Sequence, residues 1–160
     1  MRSTDHAPQD GKLFDDPAEE HQVWQVRESG LGATARTPEG TDNWSGWEDS
    51  AVHPDRLGDY IRDLRQLYDR YGYAASLYGH FGQACLHTRM PFDLVTAKGI
   101  ADSRAFLDEA AHLVVDKYGG SLSGEHGDGQ ARAELLPVMF GDDLAPRSES
   151  SRRSGTRPAG

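Results

Sequence analysis

The sequence predicts an α+β domain, on three observations. Two stretches carry apolar residues at helical spacing. A third, lying between them, is short, aromatic and broken by glycine, as paired strands are. The two kinds of element occur in mixed order rather than in strict alternation. The 160 residues suit one domain of ordinary size. Hydrophobic residues make up 36% of the chain, below the globular average. Part of that shortfall sits at the ends, so the middle is richer in core-forming residues.

Residues 1–20 are polar, carry Pro8, Pro17 and several acids, and read as a mobile lead-in. Residues 21–143 form the domain proper, with no internal repeat. "VHPDRLGDYIRDLRQLYDRYG" begins with a proline near a first turn, sets Leu57, Ile61, Leu64 and Tyr68 at helical spacing, and stops at Gly72. "AASLYGHFGQACLHTRMPFDL" reads as two strands around a turn. "DSRAFLDEAAHLVVDKYGG" lines up Phe106, Ala110, Leu113, Val114 and Lys117 on one side of a helix. Gly119 and Gly120 then allow a left-handed C-terminal cap. "QARAELLPVMFG" makes one more helix, its second part started or kinked by Pro137. Residues 144–160 contain "APRSESSRRSGTRPAG", which has too little apolar surface to fold and is expected to be disordered.

The net charge of −9 argues against nucleic acid as the main partner, because tracking phosphates needs a basic face. The arginines of the tail do not outweigh an acidic body. No apolar run is long enough to span a bilayer, and residues 1–20 lack the layout of a signal peptide. A cytoplasmic location is the expectation. Cys85 is the single cysteine, so no internal disulfide forms. A lone thiol of this kind reads as a small buried side chain rather than a nucleophile.

Four segments could carry chemistry. "YGHFGQACLH" places His80 and His87 on the two arms of a turn, with Gly79 and Gly82 beside them. Imidazoles that converge in this way can hold zinc or a related divalent metal, although unrelated surface or core histidines fit the same pattern. "YGGSLSGEHGDGQARAELL" packs five glycines around Glu125 and His126. Glu125 offers a third, anionic ligand, and two histidines with a carboxylate leave positions open for substrate. In an extended backbone His126 would face the other way, toward a reacting centre, as a general base. Gly124, Gly127 and Gly129 remove side chains where a planar ligand or its phosphates could approach, unless the stretch is merely a surface turn. The spacing is neither GxGxxG nor a P-loop. Arg27, in "VWQVRESGLGA", is either a surface arginine at a strand end or a clamp for a carboxylate. Trp47, Glu48 and Asp49 precede the first strong helix, and the two acids serve either its N-terminus or a pocket.

Taken in order, "VWQVRESGLGA", "WEDSAVHP", "YGHFGQACLH" and "GGSLSGEHGDGQARAELL" closely resemble the C-terminal half of the FAD-linked oxidases, the family of glycolate oxidase, D-lactate dehydrogenase and D-2-hydroxyglutarate dehydrogenase. The match runs from about Val23 to Gly141. The resemblance implies an antiparallel sheet with helices packed on one face, in a substrate or cap domain laid over the flavin. It implies that His80, His87 and Glu125 bind a divalent metal (zinc, manganese or iron). His126 matches the base that takes the hydroxyl proton while hydride passes to FAD, Arg27 matches the residue that holds the substrate carboxylate, and the glycine loop lies near the flavin. Three departures stand out. Gln83 and Ala84 replace the Asp-Gly of the usual GHxGDGNLH motif, His53 stands where proline is usual, and the family's FAD-binding domain is not present in this sequence.

The expected role is that of a substrate domain in an FAD-dependent oxidoreductase acting on a small 2-hydroxy acid, with the chain a fragment of a larger flavoenzyme. The alternative is an inactive truncated metal-binding fragment, or a non-catalytic chain that needs a separate FAD-binding chain. A metal-dependent hydrolase using the same histidines would leave the motif order unexplained. A cap domain without its partner domain would expose apolar surface and tend to self-associate.

Overall fold

The computed structural model describes residues 12–36 and 40–142. Most of the expected lead-in and all of the expected tail therefore lie outside the described residues. The chain divides into two compact units, residues 1–33 and 34–160.

The first unit holds helix α1 (Pro17–Glu28) and the single turn α2 (Gly30–Ala33). Asp16 starts α1: its Oδ1 accepts a hydrogen bond from the Ala18 amide at 2.7 Å. Pro17 fills the first helical position, where a missing N–H does no harm. Glu19 and Glu20 in the first turn complement the helix dipole. Arg27 thus sits on a helix, not at a strand end.

The second unit is built around a four-stranded antiparallel sheet made of β1 (Trp44–Ser45), β2 (Ser50–Ala51), β3 (Ser76–His80) and β4 (Cys85–Met90). β4 is central. One edge pairs with β3, from Ser76↔Arg89 to His80↔Cys85. Its other edge carries β1 at one end (Ser45↔Arg89) and β2 at the other (Ala51↔Cys85). The expected two strands around a turn are β3 and β4. The turn is a 3-10 segment, Phe81–Gln83, closed by Ala84 in a left-handed conformation at φ 54°. The backbone keeps a conformation that glycine adopts most easily even though alanine stands there.

Side chains alternate across β4, and this sorts the sheet into two faces. Leu86, Thr88 and Met90 point into the core, and Tyr68 Oη donates to Thr88 Oγ1 at 3.2 Å. Helices α3 (Leu57–Tyr71) and α4 (Ala97–His112) supply the rest of that core with Tyr60, Leu64, Leu67, Phe106, Ala110 and Ala111. The opposite face carries Cys85, His87 and Arg89, joined from β3 by their register partners His80, Tyr78 and Ser76. An α+β fold with helices packed on one face of an antiparallel sheet is what the sequence and its resemblance implied.

Two helix details differ from expectation. The Pro54 turn is a 3-10 segment, Pro54–Arg56, capped by His53 Nδ1, which accepts from the Asp55 amide at 3.3 Å. The α-helix proper starts at Leu57 and ends at Gly72, φ 69°, as its sequence indicates. α4 begins earlier than its apolar stripe suggested, because Thr96 Oγ1 accepts from the Gly99 amide at 3.0 Å. It then widens into a π-helical turn, Leu113–Lys117. Val114 and Tyr118 carry on the buried stripe of Phe106 and Ala110, whereas Lys117, expected on that side, is 56% exposed and meets Asp63 at 2.6 Å. Gly119, φ 59°, closes this helix, with its N–H on Val115 O at 2.9 Å. The last helix, α5 (Leu136–Phe140), is only five residues long, with Pro137 in its first turn.

Candidate active site

Two short-range decisions of the backbone create the site. The first is the break between β1 and β2. Residues 46–49 leave the ladder there, Trp47 turns into the core, and its Nε1 donates to Tyr60 Oη at 2.8 Å. Gly46 permits this turn, since a Cβ there would lie 2.3 Å from the Phe92 ring. Asp49 then adopts φ 72°, a conformation that aspartate tolerates better than most residues, and is fully buried. The second is the segment after Gly120. Ser121 pairs with Ala51 through two backbone hydrogen bonds of 3.0 and 2.8 Å, which brings the following loop alongside β2.

Asp49 holds that loop. Its carbonyl accepts from the Gly124 amide at 2.7 Å. Its carboxylate accepts from the amides of Glu125 (2.9 Å) and His126 (2.8 Å), from the Ser123 hydroxyl, and from Cys85 Sγ at 3.3 Å. Burial alone raises the Asp49 carboxyl, but the hydrogen bonds from Ser123, His126, Cys85 and Glu125 outweigh it and hold it below the usual carboxylate range. Burial, and next the Asp49 carboxylate, push the Cys85 thiol up to about 12. Cys85 therefore has no thiolate to offer at neutral pH, in keeping with a buried structural side chain.

The same anchoring brings the histidines to one carboxylate. His87 Nε2 lies 2.9 Å from Glu125 Oε1, and His80 Nε2 lies 3.6 Å from Glu125 Oε2. His126 Nε2 lies 3.6 Å from Glu125 Oε1. The His126 ring stacks on that of His87, with centroids 4.8 Å apart and planes 18° from parallel. Glu125 and His126 thus share a side of the loop instead of facing apart. The reason is that residues 124–126 form a bend whose N–H groups turn toward Asp49, so the alternation of an extended chain does not apply. His87 is nearly buried, with 6% of its side chain exposed, while His126 is 54% exposed and reachable from solution. Asp49, His87, Glu125 and His126 each bring one donor atom within 4.8 Å of the others.

The glycines serve different ends. Gly79, φ 138°, lets β3 close on β4, since a Cβ there would sit 2.5 Å from Cys85 O and 3.2 Å from the His87 ring. Gly124 faces inward: its absent side chain leaves room for Cys85 Sγ, 2.9 Å from where a Cβ would be. Gly127 and Gly129 have positive φ and open space beside them. Arg27 belongs to α1, and its side chain lies outside the described residues.

Sequence reading undervalued the residues around this cluster. Glu48 points away from any helix end and accepts from Tyr78 Oη at 2.9 Å, with Arg89 3.8 Å away. Arg132 is buried and donates to the Glu48 carbonyl. The usable signal was strand alternation, which places Arg89 on the face of His87 once β4 is recognised. Nothing local to "WEDS" announces that the chain leaves the ladder there.

Two imidazoles, a carboxylate and an open side suit a divalent ion. His87 Nε2 and Glu125 Oε1, 2.9 Å apart, are the donor pair such an ion would share. The open, side-chain-free backbone at Gly127 and Gly129 suits a large planar group such as a flavin.

Comparison with known proteins bears on the family of the fold. The family model described as FAD linked oxidases, C-terminal domain, matches residues 3–146. A D-2-hydroxyglutarate dehydrogenase of Pseudomonas putida is 42% identical over 95 residues, covering 59% of this chain and 9% of the relative. That of Escherichia coli is 38% identical over 97 residues, 61% of this chain and 9% of the relative. That of Pantoea ananatis is 32% identical over 133 residues, 83% of this chain and 13% of the relative. The aligned stretch thus spans only 9–13% of the length of these relatives. The family model covers nearly the whole sequence, and the sheet and helices of the described residues lie within it: the chain belongs to the C-terminal domain family of the FAD-linked oxidases.

Proposed function

We propose that this chain is the substrate domain of an FAD-dependent oxidoreductase that oxidises a small 2-hydroxy acid. The observation that carries the reading is the convergence of three imidazoles on Glu125, on the sheet face opposite α3 and α4. The relatives' name, D-2-hydroxyglutarate dehydrogenase, supports a D-2-hydroxy acid as the substrate class. A flavin-binding domain, on the same chain or another, is the required partner. A cytoplasmic location and the absence of a nucleic-acid partner remain part of this reading on the strength of the sequence. Among the described residues no helix is long and apolar enough to cross a membrane.

His80, His87 and Glu125 would hold the divalent metal, and Gly127 and Gly129 would leave room for the flavin. When bound, the metal supplies Lewis acidity at the substrate oxygens, and FAD supplies the acceptor for hydride. Arg27 is the residue that the resemblance assigns to the substrate carboxylate, for which a guanidinium is chemically suited. His126 Nε2 takes the hydroxyl proton as Cα gives up its hydrogen with both electrons, leaving a 2-oxo acid. The Glu125 carboxylate beside it balances the charge the ring then carries. Stacking on His87 fixes the plane in which His126 presents Nε2.

Calorimetric titration of the chain with zinc and with manganese tests the metal set. One ion per chain is expected, and Glu125→Gln should weaken binding by more than about 100-fold, the upper end for groups that only orient a ligand. Equal binding by wild type and Glu125→Gln would overturn the assignment.

A further inference from the structure

Asp49 is close enough to His87, Glu125 and His126 to be a fourth metal ligand. The geometry points to a different part: we propose that Asp49 is a positioning residue that orders Glu125 and His126 for their work and never touches the metal. This deepens the reading above and rests on it only where the metal is concerned.

Four observations carry it. The Asp49 carboxylate is already engaged on both oxygens, Oδ1 by the Glu125 amide and Cys85 Sγ, Oδ2 by the His126 amide and the Ser123 hydroxyl. Swinging one oxygen onto an ion would take from these part-buried backbone N–H groups the acceptor they have. The residue is fully buried at φ 72°, and its carbonyl is tied to the Gly124 amide at 2.7 Å, so the backbone is fixed as well. The loop it holds, from Leu122 through His126, belongs to no helix or strand, and these amide contacts set the direction of both functional side chains. Gly124 lets the loop come within reach of Asp49, because any Cβ there would meet Cys85 Sγ at 2.9 Å.

Two measurements on the full chain test it. The first uses wild type and needs no variant: amide hydrogen exchange of Glu125 and His126, read by NMR. Both should be slowed about tenfold or more relative to neighbouring loop amides. Both should stay slow when zinc is added. Free exchange of the two amides overturns the proposal. So does a loss of their protection on adding zinc, because it would mean the carboxylate has left them for the ion. The second compares Asp49→Asn, confirmed folded by its spectrum, with Glu125→Gln. A positioning role predicts faster exchange at both amides and zinc affinity lower by about 10- to 100-fold, the range for groups that orient a ligand. Unchanged exchange in Asp49→Asn contradicts it. If wild type binds no zinc, the metal reading fails while the exchange data still decide the role of Asp49.

Discussion

At the residue scale, the site depends on a few backbone positions where only particular side chains fit. Gly79 is the clearest. At φ 138° and with no room for a Cβ, it lets β3 lie flat against the His87 ring. Gly79→Ala should destabilise the fold by about 1–3 kcal/mol, seen as a lower urea midpoint with unchanged slope. An unchanged midpoint would mean that the two strands have slack the contacts do not show. His80, His87, Glu125 and His126 were all visible in the sequence as a pattern, since each lies in a motif with glycine neighbours. Asp49 was visible only as an acid. Its task depends on a left-handed backbone and on amides 76 and 77 residues away, which no local spacing encodes. The shared orientation of Glu125 and His126 was hidden for the same reason: the bend that creates it is imposed by Asp49.

At the element scale, α3 and α4 form one clamp beneath the sheet. Phe106 lies at its centre, with ring centroids 5.7 Å from Tyr68, 5.6 Å from Tyr71, 5.4 Å from Tyr73 and 5.8 Å from Phe92. Phe106→Ala should cost about 3–5 kcal/mol, measured by denaturant unfolding. The rim of the clamp is ionic. Hydrogen bonds from Lys117 and Tyr118 hold the Asp63 carboxyl below its ordinary range, and one from Tyr71, aided by Arg70, does the same for Glu109. A carboxyl depressed in the folded state stabilises it fully above the unfolded pKa and stops doing so as pH falls through the folded value. Stability should therefore decline below about pH 4, and Asp63→Asn should flatten that decline. An acid limb identical in the variant would remove Asp63 from the account. Helical spacing made α3 plain in the sequence. The π turn at the end of α4 was not, because the buried residues Phe106, Ala110, Val114 and Tyr118 keep the four-residue spacing of an ordinary helix through it. β1 and β2 were missed because two residues each carry no period to read.

At the scale of the whole molecule, the sheet divides labour. One face is sealed by α3 and α4. The other presents His80, His87, Glu48, Arg89 and, from the loop, Glu125 and His126. A polar, titratable face is suited to close over a ligand held by another domain, which is how the 2-hydroxy-acid reading uses it. The fold class was legible because helix and strand periods differ so strongly. The functional face was legible only once β4 was known to be central, since alternation then assigns the side chains of β3 and β4 to their faces. The most direct test is the anaerobic absorbance of the flavin when the chain is assembled with an FAD-binding domain of its family and given D-2-hydroxyglutarate. Wild type should bleach the visible flavin band, and His126→Ala should slow that bleaching by about 100-fold or more. A folded, FAD-loaded assembly that fails to bleach with any D-2-hydroxy acid, or one that bleaches equally without His126, would contradict this mechanism.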